Sequence, residues 1–257
     1  MRKLFLDIET VPSQNAEKIA EIYAKAKADW KLPTGLTKAK MCAELALGED
    51  EAKALSAEQV KALYVDKFGA EEIAKAADEA YHKTSFDGAL GELAVIGFAF
   101  DDNAPVTICR ASNSAEDEKE ILSKFFADLT SNLMHEMHNT DMLEDVQIIG
   151  HNVEAFDLPF LFKRAVILGI KPPINLQPNR YSDSVYDTMI EWAGFGNRIS
   201  QDNLCKALGT FNSKDSGMDG SQVWEYVKSG RIAEVAEYCA NDVLSVRANY
   251  KRMTFSE

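Results

Sequence analysis

Hydrophobic and polar positions divide this chain into strand-bearing segments around a helical stretch. Leu4, Phe5, Leu6 and Ile8 make an apolar run over residues 3–10 of the kind strands favour, and Val11-Pro12-Ser13 breaks it. From 15 to 81 the composition turns to Ala, Lys and Glu with few β-branched residues, which predicts helices. These are expected over 16–30, 37–47, 56–68 and 71–82, with Gly48 and Gly69 as stops and Ser56-Ala57-Glu58-Gln59 as a capping box. Strand character returns at 93–100, followed by a turn at 101–103 and a hairpin partner at 106–110, a unit expected to pair with the opening strand. A helix over 114–133 carries Glu116, Asp117 and Glu118 in its first turn, where the helix dipole favours acids. The stretch 134–144 reads as a surface loop or short helix, and 146–150 as a short strand. Further helices are predicted over 158–168, closed by Gly169, and over 186–193, 201–208, 220–229 and 232–251. Strands first and helices later indicate one mixed α/β domain over 1–257, with an all-helical insertion at 13–85 after the first strand.

Composition changes this picture little. A hydrophobic fraction of 46% and a charged fraction of 27% are ordinary for a soluble globular protein. No apolar stretch is long enough for a membrane span, and the apolar run after Arg2 and Lys3 is cut by Asp7, unlike a signal peptide. Cys42, Cys109, Cys205 and Cys239 are scattered, with neither metal-ligand spacing nor a disulfide framework, which suits a reducing cytoplasm. His135 and His138 stand at helical spacing without a further ligand nearby, so a solvated helix face is favoured over a zinc site. A net charge of −13 argues against coating nucleic acid through bulk positive charge. It leaves room for an enzyme that grips one nucleic-acid end through metal ions and a local basic rim. Lys18, Lys25, Lys27, Lys31, Lys38 and Lys40 crowd the first half of the insertion, either as a solvated helical face or facing nucleic acid.

The candidate chemistry is acidic. Asp7 and Glu9 lie two residues apart on a strand and therefore project from one face. Two half-buried carboxylates are costly unless neutralised, and a divalent cation with hard oxygen ligands, Mg²⁺ or Mn²⁺, would neutralise them. The other reading is a strand end with both acids in water. Asp157 starts a helix, as an N-cap would, but His151 and Asn152 precede it at a strand end, where open α/β sheets place their sites. Tyr238 and Asp242 are neighbours on one helix face at i and i+4. Placed against Asp7 and Glu9, Asp242 would complete a cage of acids whose repulsion couples site order to metal binding.

Asp7-Ile8-Glu9-Thr10, the segment Asn152 to Phe156-Asp157, and Tyr238-x-x-x-Asp242 resemble, in order, the three exonuclease motifs of the DEDD superfamily. Gly150 to Leu161 with Lys163-Arg164-Ala165 is most similar to the proofreading exonuclease domain of family B DNA polymerases. Leu204-Cys205-Lys206-Ala207-Leu208-Gly209, Gly217-Met218-Asp219-Gly220 and Tyr238-Cys239-x-x-Asp242-Val243 resemble the stand-alone, predicted family B-like 3′–5′ exonucleases. The resemblance covers 1–12 and 90–252 and leaves the insertion unexplained.

It implies an α/β, ribonuclease H-like fold: a mixed five-stranded sheet with the first strand central, flanked by helices. The implied activity is a metal-dependent 3′–5′ exonuclease that hydrolyses the 3′-terminal phosphodiester of single-stranded DNA by a two-metal-ion mechanism. Asp7, Glu9 and Asp242 would hold one Mg²⁺ or Mn²⁺ ion, Asp7 would bridge to a second, and Asp157 would bind that one through water. The position five before the last Asp is Glu237 rather than His, and Tyr238 stands four before it, which implies the tyrosine subclass (DEDDy). Tyr238 would orient the attacking water, with a packed core aromatic as the other reading; an unperturbed pKa of about 10 suits a positioner better than a base. Thr10, Asn152 and Phe156 match positions that hold the 3′-terminal nucleotide, although Asn152 also suits a turn and Phe156 a core. Asp183 and Asp187 are left outside the site, Asp187 as a helix cap, and Lys163 and Arg164 are read as helix-surface residues.

The expected partner is the 3′ end of single-stranded DNA, with RNA as the alternative substrate. The insertion would offer a face to replication or repair proteins, and any proofreading would occur in trans, since no polymerase domain fits after residue 257. A catalytically idle nucleic-acid-binding module is the reading from a different class, and the intact acids at all four positions argue against it. A bacterial or phage origin is expected from the resemblance.

Overall fold

The computed structural model describes residues 1–134, 145–177, 183–212 and 217–256. The His135/His138 pair and the rest of 135–144 lie outside them. Two compact units emerge: Asn15–Lys83, and Met1–Gln14 with Thr84–Glu257.

In the larger unit, β1 (Arg2–Val11), β2 (Glu92–Phe100), β3 (Val106–Cys109), β4 (Val146–Gly150) and β5 (Val185–Asp187) form one sheet in the order β3-β2-β1-β4-β5. β1 is central, antiparallel to β2 and parallel to β4, so the sheet is mixed. The alternation of β1 sorts its side chains onto two helical layers. Leu4, Leu6 and Ile8 join a core with α5 (Ala115–Leu133) and α6 (Asp157–Leu168) through Phe125, Leu129, Leu158 and Leu161. On the opposite face, Phe5 packs under α10 (Ile232–Met253) against Val243, Val246 and Tyr250, and Val11 meets Val235, Tyr238 and Cys239. Asp7 and Glu9 lie on this second face, between two apolar anchors.

Several expectations are corrected by the structure. The segment predicted as a helix over 186–193 opens with β5, whose ladder to β4 extends the parallel side; only α7 (Thr188–Ala193) is helical. The segment 220–229 begins as a 3₁₀ turn (Gly220–Gln222) before α9 (Val223–Lys228). Arg164 is not a surface residue. It is 6% exposed, and its Nε and Nη2 donate to Glu118, whose own Oε1 also accepts from the Leu93 N–H at 2.8 Å. Lys163 pairs at the surface with Asp87.

The smaller unit contains α1 (Ala16–Asp29), α2 (Lys38–Glu44), α3 (Glu49–Ala54) and α4 (Ala57–His82). The pair of helices predicted over 56–68 and 71–82 is one continuous helix through Gly69, because an internal Gly costs only about 1 kcal/mol and strong helix formers flank it. α3 escapes the sequence pattern because it is six residues long; Gly48 caps it, with its N–H donating to Glu51 at 3.0 Å. Met41 and Cys42 of α2 bury against Val60 and Tyr64 of α4. No helix among the described residues is long and apolar enough to cross a membrane, and all four cysteines are free thiols.

Candidate active site

The site is built from the second face of β1 outward. At Asp7 the register partner on β2 is Gly97, and a Cβ there would meet Cys239 Sγ at 2.6 Å. The missing side chain lets α10 descend onto the strand, so Cys239 Sγ lies 3.4 Å from Asp7 Oδ2 and 3.6 Å from the Asp7 carbonyl oxygen. Carboxylate oxygens of Asp7 and Glu9 and the Cys239 sulfur lie within 4.8 Å of one another. Helical spacing then carries Tyr238 and Asp242, both buried, to the same face. Asp242 Oδ1 accepts from Gln201 Nε2 of α8 (Gln201–Leu208) at 2.8 Å.

Asp157 reaches the site from the other side. The β1–β4 ladder ends at the Phe5–Ile149 pair, and beyond it the Ile8 N–H donates to Asp157 Oδ1 at 3.1 Å. Asp157 is therefore not the N-cap of α6. Phe156 occupies the cap position and Asp157 the first turn. The turn from β4 into α6 is held by Asp187, 1% exposed, whose carboxylate accepts from the Asn152 N–H (2.9 Å) and the Glu154 N–H (3.1 Å) while capping α7 at Met189. Asn152 itself is left-handed at φ +63°, a conformation Asn tolerates better than most residues. Its Oδ1 is buried without a hydrogen-bond partner. His151 Nε2 donates to the Ile199 carbonyl (2.9 Å), and its Nδ1 lies 3.0 Å from Thr188 Oγ1. Thr10 projects to the opposite face from Asp7, and its hydroxyl donates to the Ser85 carbonyl at 2.7 Å. Phe156 packs on the core edge, 5.7 Å from the Phe160 ring.

Electrostatics set this cluster apart. Burial, then the charges of Asp242, Glu9 and Asp157, push the Asp7 carboxyl well above the usual range. Burial, then Asp242, Asp157 and Asp219, do the same to Glu9. Burial raises Asp157 to about 7, against the lowering effect of backbone N–H groups, with Asp187 and Asp242 adding to the rise. Burial and the surrounding carboxylates push both the Tyr238 hydroxyl and the Cys239 thiol well above their ordinary values.

Buried acids elsewhere among the described residues are matched. Glu92 has Arg110, Glu118 has Arg164, and Asp187 has backbone amides. Among the described residues, Asp7, Glu9 and Asp157 have no lysine or arginine partner. Several hard oxygen donors converging without a counter-charge are the donor set that Mg²⁺ or Mn²⁺ requires, so these residues fit a divalent cation.

Of the residues singled out in the sequence, Asp7, Glu9, Asp157, Tyr238 and Asp242 interact within this one cluster. Asn152 stands at its strand-end rim, while Thr10 and Phe156 make contacts directed elsewhere. Sequence reasoning missed three contributors. Cys239 could have been found from its position next to Tyr238. Asp219 acts on Glu9 through its charge, and its loop is anchored by Met218, which packs beside Tyr238. Gln201 has no local signal at all.

Residues 88–257 match the model of a family described as "predicted 3′–5′ exonuclease related to the exonuclease domain of PolB". Asp7 and Glu9 lie outside that match, so their place in the cluster rests on the geometry. Among solved structures, the family B DNA polymerase from the hyperthermophilic archaeon Pyrobaculum calidifontis is similar at a TM-score of 0.50 and 16% identity. The likeness covers 65% of this chain and 22% of that one, and it is a likeness of fold. The mixed sheet with its flanking helices is thus an α/β arrangement of the ribonuclease H-like kind. No curated protein matches.

Proposed function

This chain belongs to the family of predicted 3′–5′ exonucleases related to the exonuclease domain of PolB, and on that premise we propose that it hydrolyses the 3′-terminal phosphodiester of single-stranded DNA with two divalent cations, Mg²⁺ or Mn²⁺. The observation that carries this reading is the cluster of half-buried Asp7 with buried Glu9 and Asp157, which have no lysine or arginine partner among the described residues, where the other buried acids are paired. Asp7, Glu9, Asp157 and Asp242 would hold the ions between them. Bound there, two ions would stabilise charge on the attacking and leaving oxygens of an in-line displacement.

The chain's own groups do the remaining work. Tyr238 stays a neutral hydroxyl, because burial and its carboxylate neighbours oppose its ionisation. It therefore donates and orients water rather than abstracting a proton. Gln201 fixes Asp242 through its amide. The unpartnered Asn152 Oδ1 is a buried acceptor awaiting a donor such as a sugar hydroxyl. Thr10, its hydroxyl committed to Ser85, would contribute through its backbone, and Phe156 would bound the nucleotide by packing.

The test is incubation of purified protein with 3′- and 5′-labelled single-stranded DNA and RNA in Mg²⁺, Mn²⁺ or EDTA. Mononucleotides leaving the 3′ end of DNA, stopped by EDTA and by Asp7→Ala, are expected. Preferential trimming of RNA would reassign the substrate, and degradation of neither polymer in any metal would sink the enzymatic reading.

A further inference from the structure

We infer that the segment from Trp192 to Arg198 is a stacking platform for the single-stranded nucleic acid that leads into the carboxylate site, an inference that rests on the nuclease reading above. The chain leaves the C-terminal end of β5 at Asp187, whose carboxylate organises the Asn152 turn, and runs outward through α7. It returns at Ile199, whose carbonyl meets His151 Nε2, and enters α8 at Gln201, which holds Asp242. Both ends of the excursion are thereby fastened to residues of the candidate site.

Between those fastenings the chain displays large aromatic surface. Trp192 is 46% exposed and Phe195 71% exposed. A core explanation for such rings fails at that exposure, and scattered surface apolar residues rarely come as two aromatics three positions apart on one short excursion. The loop is also preformed. Gly194 and Gly196 take left-handed φ values of +79° and +82°, the Gly194 N–H closes on the Ile190 carbonyl at 2.9 Å, and Asn197 Nδ2 caps the Ala193 carbonyl at 3.0 Å. Preforming a recognition loop lowers the ordering cost of binding.

Arg198 completes the chemistry. In a protein of net charge −13, this exposed guanidinium has no carboxylate partner among the described residues. Two aromatic rings followed by an exposed arginine are what a flexible phosphate-linked chain of bases requires: faces for stacking and a cation for the backbone. The same composition would serve a protein partner less well, since Trp192 and Phe195 are the exposed large apolar side chains of residues 192–198. Because stacking accepts any base, the platform would read strand flexibility and length rather than sequence.

The test reads preference for chain length. Binding of fluorescein-labelled oligothymidylate and of a thymidine dinucleotide is measured for the full protein in Ca²⁺, beside hydrolysis of both in Mn²⁺. Wild-type protein is expected to prefer the longer strand, and Phe195→Ala with Trp192→Ala is expected to shrink that preference on the order of tenfold or more. Arg198→Gln should shrink it less and flatten its salt dependence by about one phosphate contact. Phe195→Ala and Arg198→Gln, at exposed positions, serve where the double variant fails to fold. A variant that weakens both ligands in proportion marks a structural role and overturns the proposal. Wild-type hydrolysis without any length preference also overturns it while leaving the nuclease reading intact; in that case the aromatic face belongs to a protein partner. Length-dependent binding through Phe195 with no hydrolysis in any metal would instead overturn the nuclease reading alone.

Discussion

Cys239 on the last helix places its thiol 3.4 Å from Oδ2 of Asp7 on the first strand, across 232 positions of sequence. The approach depends on Gly97, the strand partner of Asp7, whose absent Cβ would otherwise overlap the sulfur at 2.6 Å and crowd Val243 at 3.3 Å. Gly97→Ala should therefore lift α10 from the sheet, destabilising the fold by about 1–3 kcal/mol, as overpacking of a tight contact does. Turnover should fall further than stability, since Tyr238 and Asp242 ride on the same helix. Combining Gly97→Ala with Cys239→Ala removes the clash and should restore much of the melting temperature. If the double variant melts no higher than Gly97→Ala alone, the close approach is not set by this pair.

Protonation and metal compete for the same carboxylates, which fixes the sign of the pH dependence. The Asp157 pKa is raised to about 7 from 3.8, so in metal-free protein its contribution to stability is fully present below the unfolded value and is lost as pH rises through the folded one. Asp7 and Glu9 are raised in the same direction. Melting in EDTA should occur at lower temperature at pH 8 than at pH 5, and added Mn²⁺ should raise the melting temperature more at the higher pH. Asp157→Asn keeps an acceptor for the Ile8 N–H while removing the charge. It should stabilise the metal-free protein at pH 8 by on the order of 2–4 kcal/mol and blunt the Mn²⁺ effect. A melting profile in EDTA that rises from pH 5 to pH 8 would contradict the buried, repelling cluster.

What was legible in the sequence followed from local rules. Strand alternation alone puts Asp7 and Glu9 on one face, and helical spacing alone pairs Tyr238 with Asp242. The pairing of β1 with the β2–β3 hairpin also follows from pattern and turn signals, while the central place of β1 followed only from the resemblance. What stayed hidden depends on contacts remote in sequence. Glu118 reads as a dipole-complementing acid in the first turn of α5, and only the fold reveals that it is buried against Arg164, 46 positions away. Asp187 is recognisable as a cap, but its hold on the Asn152 and Glu154 amides arises from β5 lying beside β4. β5 itself is three residues long, below the length at which alternation is informative.

The Arg164–Glu118 pair makes a prediction about stability that is independent of catalysis. Glu118 is fully buried, and its carboxylate also accepts from the Leu93 N–H. Arg164→Met would strand that charge and should cost about 3–5 kcal/mol. Adding Glu118→Gln retains an acceptor for Leu93 and should recover most of the loss. Chemical denaturation of the two variants separates an uncompensated charge, which the second substitution relieves, from simple loss of packing around the arginine stem, which it does not.

Tyr238 provides the sharpest division between holding metal and directing chemistry. Its hydroxyl lies among Asp242, Glu9 and Asp7, whose charges, with burial, keep it protonated well beyond the usual tyrosine range. A protonated hydroxyl contributes a hydrogen bond and no charge, so its removal leaves the carboxylate donor set intact. Tyr238→Phe should bind Mn²⁺ with affinity close to that of the unaltered protein while its turnover on single-stranded DNA falls on the order of a hundredfold, the scale of a mispositioned reactant. The pH–rate profile should keep its shape, because the carboxylates rather than the phenol titrate in the accessible range. Calorimetric titration with Mn²⁺ alongside single-turnover rates across pH makes the comparison. A large loss of metal affinity would move Tyr238 from orienting water to building the metal site, and loss of a basic limb in the profile would make it the proton acceptor.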